Sequence, residues 1–137
     1  MHDQRSIILA RVRRVLAERI RPAESTLVCP LEVAAWQVTG PDGIPGRGEP
    51  VPAQVALAAD YAPFAVGMPW GPPWGTTWFR FRATVPSDRR ESPLEAVVDL
   101  GWTSDSVGGQ AEGLVVDKAG RIIKGLHPRN AWVPVTP

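Results

Sequence analysis

Hydrophobic positions near the start of the chain recur at helical spacing. The apolar positions are Ile8, Val12, Val15, Leu16 and Ile20, and arginines lie between them. This spacing predicts one amphipathic helix from Asp3 to Arg21, ended by Pro22, so that residues 1–22 form a separate first segment. We interpret its basic side as the solvated face of a packed helix rather than as a patch for a membrane or a nucleic acid.

From Leu27 onward the pattern changes to short apolar runs separated by turn residues. A first run spans 31–38, and a loop rich in glycine and proline follows from Thr39 to Pro52. We expect this loop to be disordered or to form a surface excursion, because loops of this length are uncommon inside compact domains. The 13 glycines and 15 prolines make up about a fifth of the chain, well above average usage. Such a composition favours many short strands.

Strict alternation marks the start of the β region. Between Thr77 and Val85, Phe79 and Phe81 share one face with Ala83 and Val85, whereas Trp78, Arg80, Arg82 and Thr84 occupy the other. Further strands are predicted at 95–100, at 113–116 paired with 121–124 through the turn 117–120, and at 131–135, where Pro134 restricts the strand to an edge. The sequence therefore predicts, for residues 23–137, an antiparallel β-sandwich of jelly-roll, galactose-binding-like type.

Composition excludes several classes of function. With 15 basic and 14 acidic residues the net charge is +1, so the chain has no global field to attract nucleic acid or anionic lipid. No stretch approaches the length of a membrane span or a signal-peptide core. Cys29 is the single cysteine, which permits no intramolecular disulfide. We therefore expect a cytoplasmic protein with neither nucleic acid nor membrane among its partners.

Three tryptophans spaced four residues apart, Trp70, Trp74 and Trp78, run through a Pro/Gly turn region into a strand. Indole presents a large flat face that packs on apolar surface or on sugar rings. Three interpretations stay open for these residues: a rigid corner at the end of the sandwich, an interface with another domain, or a platform that contacts carbohydrate. Arg129, in the loop 127–130, is a further candidate for bonding a partner's carboxylate.

Several motifs together indicate a family. The segment WGTTWF at 74–79, VVDLG at 97–101, QAEGLVVD at 110–117 and KGLHPRN at 124–130 occur in this order. Because of these four motifs and their order, residues 3–135 resemble the N-terminal region of bacterial and fungal α-mannosidases of glycoside hydrolase family 38. The resemblance implies a longer zinc-dependent hydrolase of terminal α-mannosidic bonds, in which a non-catalytic β-sandwich precedes the catalytic domain. It also implies that the sandwich continues beyond Pro137.

The segment itself offers little chemistry. Its β region carries the carboxylates Asp99, Asp105, Glu112 and Asp117, none of which matches a catalytic motif of the family. The family's His-x-Asp zinc motif is also missing, because His2 precedes Asp3 directly. We therefore predict an inactive segment without catalytic residues, metal or cofactor, with zinc confined to the parent's catalytic domain.

The expected partners follow from these interpretations. We expect the catalytic domain of the same polypeptide as the main partner, with a homo-oligomer or a mannoside glycan as alternatives. The alternative functions are an autonomous carbohydrate-binding module and an oligomerisation module.

Overall fold

The computed structural model describes residues 4–103 and 111–135, which divide into two compact units at the boundary between Pro30 and Leu31. Five positions used above lie outside the described residues: His2, Asp3, Asp105, Gln110 and Pro137. None of the helices in the described part of the chain has the length and apolar character required to cross a bilayer.

The first unit is helical and extends past the proline that was predicted to end it. Helix α1 spans Arg5–Val15, a π-helical segment spans Leu16–Ile20, and helix α2 spans Arg21–Glu24 with Pro22 in its first turn. The prediction that Pro22 ends the helix is wrong. Proline lacks an N–H and its ring clashes with the carbonyl four residues earlier in an α-helix. The wider π turn, in which the N–H of Arg21 donates to the carbonyl of Leu16, accommodates it.

The second unit begins with a three-stranded antiparallel sheet in the order β2-β1-β3. Strand β1 spans Glu32–Gln37, β2 spans Ala62–Pro63 and β3 spans Thr77–Arg82. The predicted strand at 77–85 is therefore three residues too long. Its register explains the difference, because Arg82 pairs with Glu32, the first residue of β1, and no further β1 residue remains to pair with 83–85.

Four further strands form two antiparallel pairs. Strand β4 spans Leu94–Val97 and pairs with β7, Trp132–Val135; strand β5 spans Gly113–Val116 and pairs with β6, Ile122–Leu126. The predicted hairpin at 113–124 is confirmed, with an irregularity between Val115 and Val116 that the sequence did not predict. Pro134 lies in a two-stranded sheet opposite Glu95, where an edge strand tolerates its missing N–H.

The apolar side chains of these four strands share one core, which we call the apolar cluster. Val98, Leu126 and Val133 are buried in it, and the partly buried residues packed against them are Leu31, Ala96, Leu100, Trp102 and Val115. The mainly β, antiparallel architecture predicted from the sequence is confirmed. In the described residues its strands form three small sheets of three, two and two strands.

The loop predicted between Thr39 and Pro52 is an ordered surface excursion rather than a disordered one. The N–H groups of Gly46 and Gly48 both donate to the carbonyl of Val38 at 2.9 Å, and the N–H of Gly40 donates to the carbonyl of Ile44. The carboxylate of Asp42 accepts the N–H of Ile44 and pairs with Arg47 at 3.2 Å. A short helix, α3 (Ala53–Leu57), follows this loop.

Candidate functional site

Trp70 is held inside the domain by its ring and by its indole nitrogen. The ring meets Phe79 edge to face, with the centroids 5.4 Å apart, a favourable aromatic geometry. Its Nε1–H donates to the carbonyl oxygen of Leu100 at 3.3 Å. Trp70 therefore joins the face of β3 that carries Phe79 to the chain just after β4.

Trp78 lies on the opposite face of the same sheet. It directly precedes Phe79 in β3, and successive strand residues point to opposite faces. It pairs across the sheet with Trp36 of β1, a residue that the sequence analysis did not single out. Its Nε1 is buried and has no hydrogen-bond partner among the described residues. The rings of Trp70 and Trp78 consequently do not form one continuous platform.

Trp74 stands apart from both. It occupies a turn closed by a hydrogen bond from the N–H of Gly75 to the carbonyl of Pro72 at 3.2 Å. Its φ of +66° makes it the one described residue other than glycine with a positive φ. With proline before it, this matches the third position of a type II turn, which glycine or asparagine normally occupies. Its side chain is 99% exposed.

The turn that carries Trp74 is supported by the ordered loop described above. A Cβ added at Gly75 would overlap the carbonyl oxygen of Gly46, and one added at Gly46 would lie 2.9 Å from the Cδ of Pro72. The N–H of Val38 donates to the carbonyl of Thr76 at 3.0 Å. We call these two segments, 38–48 and 70–76, the tryptophan corner. Because only glycine permits such a close approach of two backbones, this corner depends on Gly75.

Arg80, predicted on the face of β3 opposite Phe79 and Phe81, contacts other residues of the domain. Its guanidinium lies 3.9 Å from the ring centroid of Tyr61 and donates to the carbonyl of Leu57 at 3.3 Å. Burial raises the pKa of Tyr61, and the positive charge of Arg80 opposes that rise. Neither Tyr61 nor Leu57 was linked to Arg80 by the sequence, because neither lies at a regular spacing from it.

Arg129 lies in the turn between β6 and β7. Its backbone N–H donates to Nδ1 of His127 at 3.3 Å, and the residue is exposed. Its contacts within the described part of the chain do not join it to the tryptophan corner. Of the predicted site residues, Trp70 and Trp74 belong to the same segment of the corner but point to different surroundings. Trp78 occupies the far face of the adjoining strand, and Arg129 belongs to another loop.

The other tryptophans are engaged by neighbouring groups. The Nε1–H of Trp102 donates to the carbonyl of Ala111 at 2.7 Å. The ring of Trp132 is covered by Lys124, whose Nζ lies 2.9 Å from the ring centroid and is buried without a hydrogen-bond partner in the described residues. A cation over an aromatic face is favourable when desolvated, so this pair connects β6 with β7. Trp74 is therefore the tryptophan whose whole ring is accessible to a partner.

Two carboxylates of the β region, those of Asp99 and Asp117, bind backbone N–H groups of turns. Asp99 accepts the N–H groups of Gly101 and Trp102 at 2.9 and 3.2 Å. Asp117 accepts the N–H groups of Ala119 and Arg121 and pairs with the Arg121 guanidinium at 2.7 Å. The backbone hydrogen bond from Arg121, followed by its side-chain bond, holds the pKa of Asp117 below its ordinary value.

A lowered pKa keeps Asp117 ionised, which does not suit a general acid. Within residues 4–103 and 111–135, no three His, Cys, Asp or Glu side chains gather as a metal site requires.

Comparison with known proteins places this architecture in a family. A search of curated proteins finds no match. A family model described as "Alpha-mannosidase, jelly roll domain" matches residues 29–136, which include every strand described above and the tryptophan corner. Its jelly-roll description agrees with the short antiparallel strands of the second unit. The chain therefore belongs to the family of alpha-mannosidase jelly roll domains.

Proposed function

We propose that this chain is the non-catalytic N-terminal domain of an α-mannosidase that hydrolyses terminal α-mannosidic bonds, and that it supports the catalytic domain. The match to the alpha-mannosidase jelly roll family carries this proposal. The parent's zinc ion is assigned to the catalytic domain, and a cytoplasmic location is proposed from the single cysteine.

The local roles of the carboxylates support a non-catalytic segment. Hydrolysis with retention of configuration requires two carboxyl groups about 5 to 5.5 Å apart, one of them a nucleophile and the other an acid with a raised pKa. Asp99 and Asp117 are instead occupied by backbone N–H groups of their own turns. The pKa of Asp117 moves in the opposite direction from that of an acid catalyst.

A direct assay tests the absence of activity. The purified chain is incubated with an aryl α-mannoside, with and without added Zn²⁺, and release of the aryl group is measured against buffer. We expect no release above buffer. Release that disappears in the double variant Asp99→Asn, Asp117→Asn would overturn the proposal, because both variants leave the carbonyl oxygen needed by the turns.

The size of the native polypeptide tests the link to a larger enzyme. An antibody raised against this chain is used to probe a lysate of the source cells. We expect a band far above 14.9 kDa. A band near 14.9 kDa would contradict the proposal and favour an independent module.

An autonomous carbohydrate-binding module is the alternative that one observation favours, the exposed ring of Trp74. The ring of Trp74 would be the single stacking surface of such a module. Trp70 packs against the face of the sheet that carries Phe79, and Trp78 lies on the opposite face, so neither extends this surface. Titration with methyl α-mannoside, followed by tryptophan emission in the chain and in Trp74→Asn, would reveal such binding as a saturable change in the unsubstituted chain.

A further inference from the structure

Trp74 combines two properties that rarely occur together. It is 99% exposed, and it has a left-handed backbone conformation at a φ of +66°. For residues with a Cβ this conformation is unfavourable. The turn would form more readily with glycine or asparagine at this position. Strain of this kind, held by surrounding structure, is typical of functional sites.

The surroundings fix the backbone that carries the ring. Pro72 and Pro73 restrict the backbone before Trp74, and Gly75 lies against the backbone of Gly46. The hydrogen bonds to Pro72 and from Val38 close both sides of the segment. Because this backbone is preorganised, binding would need to order only the side-chain torsions of Trp74.

The chemistry of the segment identifies the kind of partner. Residues 61–79 contain no Asp, Glu, Lys or Arg, and Val66 and Met68 of this stretch are exposed together with Trp74. Its polar side chains other than tyrosine and tryptophan are Thr76 and Thr77, and the hydroxyl of Thr77 is buried. Sugar recognition needs polar groups placed for the hydroxyls of the ligand, which this stretch does not offer. In the other segment of the corner the charged side chains of Asp42 and Arg47 are paired with each other at 3.2 Å. The exposed apolar side chains of 61–79 are therefore complementary to an apolar pocket.

We infer that Trp74 is a docking anchor that inserts into an apolar pocket on the catalytic portion of the same polypeptide. This inference rests on the proposed function, since it assigns the supported domain as the occupant of this surface. Tryptophan is the residue type most enriched among the few residues that dominate protein interfaces. The tryptophan corner thus positions the backbone of Trp74, and the indole ring contacts the catalytic portion.

Oxidative footprinting tests the anchor. The isolated chain and the native polypeptide are exposed to hydroxyl radicals, and oxidation of each tryptophan is measured by peptide mass spectrometry. We expect Trp74 to be the most rapidly oxidised tryptophan in the isolated chain. In the native polypeptide its oxidation should fall to the rate of the partly buried Trp70. An unchanged rate would overturn the inference, as would protection of the isolated chain by methyl α-mannoside, which would assign the ring to a glycan.

Matched variants separate the contact from the fold. Trp74→Asn retains a residue suited to positive φ, so the unfolding midpoint of the chain should stay the same or rise. In the native polypeptide, Trp74→Asn should increase the rate at which limited proteolysis releases this domain about thirtyfold, and Trp74→Phe should restore most of the resistance. Equal release rates for the unsubstituted polypeptide and both variants would contradict the anchor.

The two proposals fail in different ways. The size of the native polypeptide tests the proposed function, and the labelling of Trp74 tests the anchor. A large polypeptide in which Trp74 remains fully accessible would overturn the anchor alone.

Discussion

The apolar cluster and the tryptophan corner lie in the same unit but are stabilised by different means. The cluster buries Val98, Leu126 and Val133 from strands and their ends, so its order derives from removing apolar surface from water. The corner is ordered by backbone hydrogen bonds and by the contact between Gly46 and Gly75. In the apolar cluster, neighbouring side chains can shift when one of them is changed. In the corner, the backbones of Gly46 and Gly75 are in contact, so an added side-chain atom has no space. The corner can therefore expose a tryptophan without losing its shape.

The largest effect is expected in the cluster, for Leu126→Ala. Leu126 is 5% exposed, and its truncation should lower the free energy of unfolding by about 3 kcal/mol through lost burial and a cavity. Leu114→Ala, on the same hairpin but 59% exposed, is the matched control and should have a much smaller effect. Denaturant unfolding followed by circular dichroism measures both. Equal losses would show that the cluster is not the core of this unit.

The corner is tested by Gly75→Ala, which should cost about 2 kcal/mol because the added Cβ meets the carbonyl of Gly46. The control is Gly125→Ala, where the nearest atom, the carbonyl oxygen of Gly113, lies at 4.0 Å. That control should leave the unfolding midpoint nearly unchanged. A Gly75→Ala chain as stable as the control would show that the corner adjusts as freely as the cluster.

A smaller effect is expected at the turn that closes the hairpin of the cluster. The folded state lowers the pKa of Asp117 from its ordinary 3.8 through the hydrogen bonds from Arg121. The stabilisation is therefore complete above the ordinary pKa of an aspartate and is lost as the pH falls through the lowered value. Asp117→Asn should lower the melting temperature at neutral pH and reduce its dependence on pH in the acid range.

The exposed Asp88 provides the comparison for this turn, since it forms an ion pair with the adjacent Arg89. Exposed pairs of this kind contribute little, so Asp88→Asn should leave the acid dependence of the melting temperature as it is. If Asp117→Asn and Asp88→Asn behave alike, the turn does not contribute to the stability of the hairpin.

The smallest effect is expected outside both regions, for Arg129→Ala. The side chain is exposed, and its backbone hydrogen bond to His127 survives truncation. The free energy of unfolding should change by less than about 0.5 kcal/mol. A larger loss would reveal a structural role for Arg129. A change confined to the affinity for the remainder of the polypeptide would support its role as an interface residue.

Much of the fold was predictable from the sequence, but the surroundings of the tryptophan rings were not. Alternation located β3 and the face shared by Phe79 and Phe81, and turn chemistry located the hairpin at 113–124. The ends of these elements were less accurate, because β3 ends where β1 has no further residue to pair with it. The sequence placed Trp70, Trp74 and Trp78 in one group. It did not separate an internal ring, an exposed ring and a ring on the opposite face.

The sequence by itself determined the elements whose cause is local: the helical spacing of the first unit, the alternation of the strands and the turn at 117–120. The tertiary structure decided what depends on residues distant in the chain. It continued the helix through Pro22 by a π turn, brought Gly46 against Gly75 and exposed Trp74 in a left-handed conformation. Periodicity reports which face a residue occupies, whereas only packing determines whether another part of the chain covers that face.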